Sequence, residues 1–164
     1  MSIGKTEKYR VDRETKLGYI LTKANDDEEY FLHHNECQGQ KLFPGDYVHA
    51  FLYVDKKNRV AATLLKPMID MNSPGLVEVV GINDNLGVFM NIGISKDILL
   101  SKDDLPLKRN LWPRIGDKII SILRTKNNKL IIKIANKEQI LSAKKEEVLS
   151  ENGKFTAYVY RITP

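Results

Sequence analysis

A chain of 164 residues holds one medium domain or two small ones, and a hydrophobic share of 42% argues against a disordered chain. The net charge of +5, with lysine well ahead of arginine, suits a polyanionic partner without requiring one, and favours a general positive field over bidentate base reading. A single cysteine, Cys37, rules out an internal disulfide, Met1 to Arg13 lacks the apolar core of a signal peptide, and no apolar run nears the roughly 20 residues of a membrane span, so a soluble, cytoplasmic protein without a membrane partner is expected.

Met1 to Thr6 reads as a loose end. Tyr9 to Glu14 and Leu17 to Thr22 are predicted strands, and Asn25 to Glu28 an acidic turn. Glu29 to Asn35 follows as a strand. Side chains alternate along a strand, which puts Tyr30, Leu32 and His34 on one side and Phe31, His33 and Asn35 on the other. An aromatic beside an imidazole on an exposed sheet face is a candidate stacking platform. Phe43-Pro44-Gly45-Asp46 is a turn, Tyr47 to Asp55 a strand, Lys56-Lys57-Asn58 a hairpin turn, and Arg59 to Leu65 the returning strand. Tyr47, His49, Phe51 and Tyr53 form an outer stripe that either extends the stacking face or packs against a neighbouring element, and packing is the favoured reading.

Lys66-Pro67 closes this unit, and Met68 to Pro74 connects it to a second one. Strands are predicted at Leu76 to Ile82, Gly87 to Ile92, Ile98 to Leu100, Lys118 to Thr125 and Lys129 to Ala135, with a proline-containing loop from Lys102 to Pro113 that includes Trp112 as a hydrophobic plug. The two halves repeat each other. Gly18-Tyr19-Ile20-Leu21 aligns with Gly87-Val88-Phe89-Met90, Gly45-Asp46 with Gly116-Asp117, and Asn58-Arg59-Val60 with Asn128-Lys129-Leu130, all at an offset of about 70 residues. Lys137 to Leu149 is the one plausible helix. Lys154 to Ile162 resembles the opening strand of the second repeat, as if a third copy begins there.

Five short strands in about 60 residues must hide their edges, and a closed five-stranded oligonucleotide-binding (OB) barrel does so. The expected fold is therefore all-β: tandem five-stranded OB barrels at 1–67 and 68–135, with a linker helix and the first strand of a truncated third barrel in 136–164.

The ordered set of these motifs resembles a known family. Leu17-Gly18-Tyr19-Ile20 followed by Tyr30-Phe31-Leu32-His33-His34 resembles the RNA-binding motifs of cold-shock and S1-type barrels, and the second unit resembles an S1 domain. As a whole, residues 9–162 resemble the conserved virulence factor B family of bacterial S1-like RNA-binding proteins, which is expected to carry three such barrels and a winged helix. The resemblance implies base stacking by Tyr19, Phe31 and His33 in the first unit and by Phe89 in the second. Leu17, Leu86 and Leu100 stand where aromatic or histidine side chains are usual. Lys16 and Arg59 are the basic candidates for phosphate beside the first platform, with Lys56 and Lys57 in the same hairpin and Arg124, Lys126, Lys129 and Lys133 in the second unit.

No phosphate-binding glycine loop or nucleophile elbow occurs, and the acidic run Asp26-Asp27-Glu28-Glu29 reads as a solvated turn, so no enzyme is expected. His33, His34 and Cys37 do not make a metal set, because neighbours on a strand point to opposite faces; no metal or cofactor is expected. The expected function is single-stranded RNA binding in the regulation of gene expression, including virulence genes. The alternative is a protein-interaction scaffold in which the barrels are spacers.

Overall fold

The computed structural model describes residues 3–141. Among the described residues, ten strands form two closed five-stranded barrels. The first contains β1 (Thr6–Glu14), β2 (Gly18–Lys23), β3 (Asp26–His33), β4 (Tyr47–Val54) and β5 (Val60–Thr63), in the order β1-β2-β3-β5-β4. The second contains β6 (Gly75–Asn83), β7 (Gly87–Asn91), β8 (Ile98–Ser101), β9 (Lys118–Lys126) and β10 (Lys129–Ile134), in the order β10-β8-β7-β6-β9. Read from the first strand of each, these are the same path, which is that of tandem OB barrels. The chain divides into two compact units: the first is built on residues up to Pro67 with Gly93–Lys96 and Asn127–Lys129, the second on the rest of the described residues.

Alternation explains why each sheet closes. Tyr9 and Val11 of β1, Tyr19 and Leu21 of β2, Tyr30 and Leu32 of β3, Ala50 and Leu52 of β4 and Ala62 of β5 all point inward and form one buried cluster. In the second barrel, Val77, Val79, Val88, Met90, Ile98, Leu100, Ile119 and Ile132 are buried at matching places. The turns carry residues that tolerate positive φ: Asn25 between β2 and β3, Asn58 between β4 and β5, and Asn127-Asn128 between β9 and β10.

The repeat extends to atomic detail. In the first barrel, the Gly45 N–H donates to Val11 O and the Val11 N–H to Asp46 O, both at 2.8 Å. In the second, the Gly116 N–H donates to Val79 O and the Val79 N–H to Asp117 O, both at 2.9 Å. Each aspartate also accepts from the backbone three residues earlier, Asp46 from Phe43 and Asp117 from Arg114, at 2.9 Å in both cases. The register of β1 shifts between Val11 and Arg13, and that of β6 between Val79 and Gly81. Gly18 and Gly87 open the second strand of each barrel, and a Cβ on either would lie 2.2 Å or 2.1 Å from the carbonyl oxygen of Leu32 or Leu100. Only glycine fits so close to the facing backbone.

Two expectations need correction. Asp26 to Glu28 are not a turn: β3 begins at Asp26, whose carboxylate accepts from the Glu28 N–H at 2.8 Å and from the Tyr30 hydroxyl at 2.7 Å. The strand ends at His33, and His34–Glu36 form a short 3-10 helix, so His34 and Asn35 do not continue the alternation. The loop from Lys102 contains two more 3-10 turns, Lys102–Asp104 and Arg109–Leu111.

Residues 137–141 of the expected linker helix are helical, and Ile140 packs on Ile120, Ile122 and Ala135. The remainder of that helix and the strand expected from Lys154 lie outside the described residues. No helix among the described residues is long and apolar enough to cross a membrane.

Candidate nucleic-acid interface

The outer face of β2, β3 and β5 carries the first barrel's platform. Phe31 and His33 alternate with the inward Tyr30 and Leu32, so both rings are outward and half-buried. Their centroids are 6.0 Å apart with planes at 85°, an edge-to-face pair. Register places Ile20 and Ala61 on either side of Phe31, and Gly18 beside His33. Ala61 and Gly18 are small and leave the rings accessible. The result is an open groove of about 360 Å³ whose lining includes Phe31, His33, Asn35, Tyr53 and Arg59.

The platform is held from behind. His33 Nδ1 accepts from the Asn35 N–H at 3.0 Å, which caps the 3-10 helix and fixes the imidazole. Glu36 in that helix is buried, and its carboxylate accepts from the Tyr53 hydroxyl at 3.0 Å and the Thr63 hydroxyl at 3.3 Å. Burial, and then the Glu36 charge, push the Tyr53 hydroxyl well above the usual tyrosine range, so Tyr53 donates throughout the physiological range.

Arg59 stands at the rim, exposed. Its Nε donates to Asp55 at 3.1 Å and its backbone N–H to the same carboxylate at 2.9 Å. Desolvation works against the Asp55 charge, but the hydrogen bonds from Arg59 and Lys57 and the Arg59 guanidinium outweigh it and hold the carboxyl below its ordinary value. Arg59 is thus oriented, and its charge is partly balanced. Lys16 is exposed two residues before Gly18, the residue paired with His33. Leu17 between them is 61% exposed, and its carbonyl accepts from the His34 N–H at 3.0 Å.

Tyr19 is not part of this face. It is 2% exposed, points into the core, and its hydroxyl accepts from the Leu42 N–H at 3.1 Å. Strand alternation after Gly18 turns Tyr19 in and Ile20 out. The alignment of Gly18-Tyr19-Ile20 with Gly87-Val88-Phe89 contained the signal, since it sets Ile20 opposite Phe89 and Tyr19 opposite the buried Val88. His34 lies edge-on to Tyr19, with centroids 5.1 Å apart, and pairs with Glu14 at 3.0 Å. The outer stripe on β4 splits: Tyr47 and His49 are exposed, whereas Phe51 and Tyr53 are buried.

In the second unit, Phe89 is outward and half-buried, between Gly81 and Leu99. Leu99 occupies the place of Phe31 and Ser101 that of His33. Ser101 keeps the capping role, its Oγ accepting from the Asp103 N–H at 3.1 Å, but brings no ring. Lys133 is tied to Asp104 at 2.7 Å and Arg124 to the Met71 carbonyl at 3.1 Å. Trp112 is buried in its loop, donating from Nε1 to Pro106 O at 2.8 Å beneath the Arg109 guanidinium. Cys37 is buried, and desolvation followed by the Glu36 charge pushes its thiol up to about 11, which makes it unreactive. Among the described residues, no cluster of three or more metal-type side chains forms.

A family model described as the CvfB first S1-like domain matches residues 75–138, the second barrel, and a model of the S1 domain matches residues 3–65, the first. Each barrel thus matches an S1-type family model, and the two matches together support the CvfB-like S1 family. Within reach of this family, the curated "Uncharacterized protein YitL" of Bacillus subtilis (strain 168) is 34% identical over 154 residues, covering 93% of this chain and 51% of the relative. A crystal structure of a multidomain protein with nucleic acid binding domains from Streptococcus pneumoniae is similar over 86% of this chain and 48% of its own, at 26% identity and a TM-score of 0.74. The chain spans about half the length of the relatives it matches. The S1-type barrels support nucleic-acid binding at the general level.

Proposed function

We propose that this chain binds single-stranded RNA on the outer face of its first barrel. Bases stack on Phe31 and His33, Arg59 and Lys16 meet the phosphates, and Ile20 supplies an apolar neighbour where Tyr19 was expected. Phe89 gives the second barrel one ring and makes it the weaker reader. The observation that carries this reading is the pair of outward rings, 6.0 Å apart, in a groove that also holds Arg59. Stacking is tolerant of base identity, so sequence preference is slight. The groove's cations are few and Arg59 is partly balanced by Asp55, so affinity is modest and salt-sensitive, with each neutralised phosphate contributing about 0.7 to the log–log salt slope. A cytoplasmic role in regulating gene expression, virulence genes among the targets, accords with the family resemblance.

A titration of the full chain with fluorescent oligouridylate tests this. Stacking is worth about 1–3 kcal/mol per base, so Phe31→Ala with His33→Ala weakens binding at least tenfold. Unchanged affinity in the double variant sinks the reading. The second reading, a protein-interaction scaffold, draws on Leu107, Leu111 and Ile115, large apolar side chains exposed in the loop between β8 and β9. A protein partner whose binding is lost on Leu107→Ser with Leu111→Ser, in a chain indifferent to RNA, would favour it.

A further inference from the structure

The seam between β1 and β4 presents a second constellation of rings and cations, on strands other than those that carry Phe31 and His33. Lys8 and Arg10 alternate with the inward Tyr9 and Val11, and Tyr47 and His49 alternate with the inward-facing Val48 and Ala50, so all four point outward. The register sets Lys8 opposite His49 and Arg10 opposite Tyr47. The Lys8 ammonium stands 4.8 Å from the centroid of the Tyr47 ring, yet Tyr47 remains 63% exposed. Just before β4, the turn adds Phe43, 57% exposed, with Lys41 at 6.0 Å from its centroid. The nearby carboxylates are already engaged: Asp12 holds Arg13 at 2.7 Å and stands only loosely, at 4.0 Å, from Arg10, while Asp46 accepts from the Phe43 N–H.

We propose that this β1–β4 seam is a second binding surface for single-stranded nucleic acid, with a base on Tyr47 and phosphates on Lys8 and Arg10. The occupant has to offer a flat π face to Tyr47 and negative charge to the flanking cations. A single-stranded polynucleotide does both, whereas an acidic peptide supplies only the charge. Barrel closure separates this seam from β3, which pairs with β2 and β5 and not with β1 or β4. A strand bound at the seam therefore engages Tyr47 independently of Phe31.

The test uses the full chain and an oligouridylate carrying 5-iodouridine, with cross-links mapped by mass spectrometry and affinity read at several salt concentrations. Cross-links to Tyr47 or His49 are expected, and they persist in the Phe31→Ala/His33→Ala variant. In the Phe31→Ala/His33→Ala background, Tyr47→Ala weakens the remaining binding at least about fivefold, the lower end for one lost stacking contact. Lys8→Gln with Arg10→Gln lowers the salt slope by about 1.4, for two phosphates. All three residues are exposed, so far-UV circular dichroism should show an unchanged fold. Affinity and salt slope unchanged by the seam substitutions, with cross-links confined to β2, β3 and β5, would overturn this site alone. Failure of the wild-type chain to bind the oligonucleotide would overturn this site and the Phe31–His33 reading together. Preference of the seam for polyglutamate over the oligonucleotide would also refute it.

Discussion

Tyr19 and Phe31 are both aromatic residues on neighbouring strands of one barrel, yet one is core and the other surface. The difference sets opposite expectations. Tyr19→Phe removes the acceptor for the buried Leu42 N–H, which costs on the order of 1–3 kcal/mol of stability while leaving RNA affinity unchanged. Phe31→Ala does the reverse, because the ring is half-buried and has a free face. Chemical denaturation and an RNA titration on the same two variants separate the roles; a loss of affinity in Tyr19→Phe at full stability would contradict the assignment. The residue type was legible in each strand alone, and its direction only through the repeat that sets Ile20 against Phe89, since alternation fixes direction only once the phase of the strand is known. Glu36 was missed altogether. A charged residue reads as exposed, and nothing local announces that Tyr53 and Thr63 converge on it.

At the scale of elements, the repeat was the most legible feature. Gly18 with Gly87, Gly45-Asp46 with Gly116-Asp117, and Asn58 with Asn128 mark turns and close approaches that only a few residue types satisfy, so their spacing survives where the core residues between them differ. Gly18→Ala drives a Cβ into the Leu32 carbonyl, and a destabilisation of about 1–3 kcal/mol is expected, with Gly87→Ala behaving alike. Thermal unfolding of the two variants checks this; a melting temperature unchanged in either would mean that the facing strand yields. The end of β3 was the least legible element. A run of Leu-His-His-Asn has no strong stop signal, and the strand ends because His33 caps the next turn through its ring nitrogen. Its counterpart Ser101 is a conventional cap, and the equivalence of His33 with Ser101 emerges only from the strand register.

The whole molecule shares out its charge in small local accounts. Arg13 holds Glu29 through two hydrogen bonds, at 2.9 and 3.1 Å, and keeps its carboxyl below the ordinary value. Hydrogen bonds from the Glu28 N–H and the Tyr30 hydroxyl do the same for Asp26. A carboxyl whose folded-state pKa is depressed stabilises the fold above its unfolded pKa, and that contribution is lost as pH falls through the folded value. The melting temperature should therefore be level near neutrality and fall below about pH 4, the usual carboxylate range. These groups are exposed, so the slope is shallow, and Glu29→Gln flattens it further; a rise in stability on acidification would contradict the sign. The same pairing limits the positive field that the net charge of +5 suggests, and it leaves recognition to rings more than to cations.

The most direct test of that claim is a backbone amide chemical-shift map of the full chain with and without oligouridylate. In the first barrel's β2–β3–β5 face, Gly18, Ile20, Phe31, His33, Asn35, Arg59 and Ala61 should shift together and saturate with one affinity. An RNA-bound spectrum in which those amides stay still, with shifts confined to the Leu107–Ile115 loop of the second barrel, would contradict it.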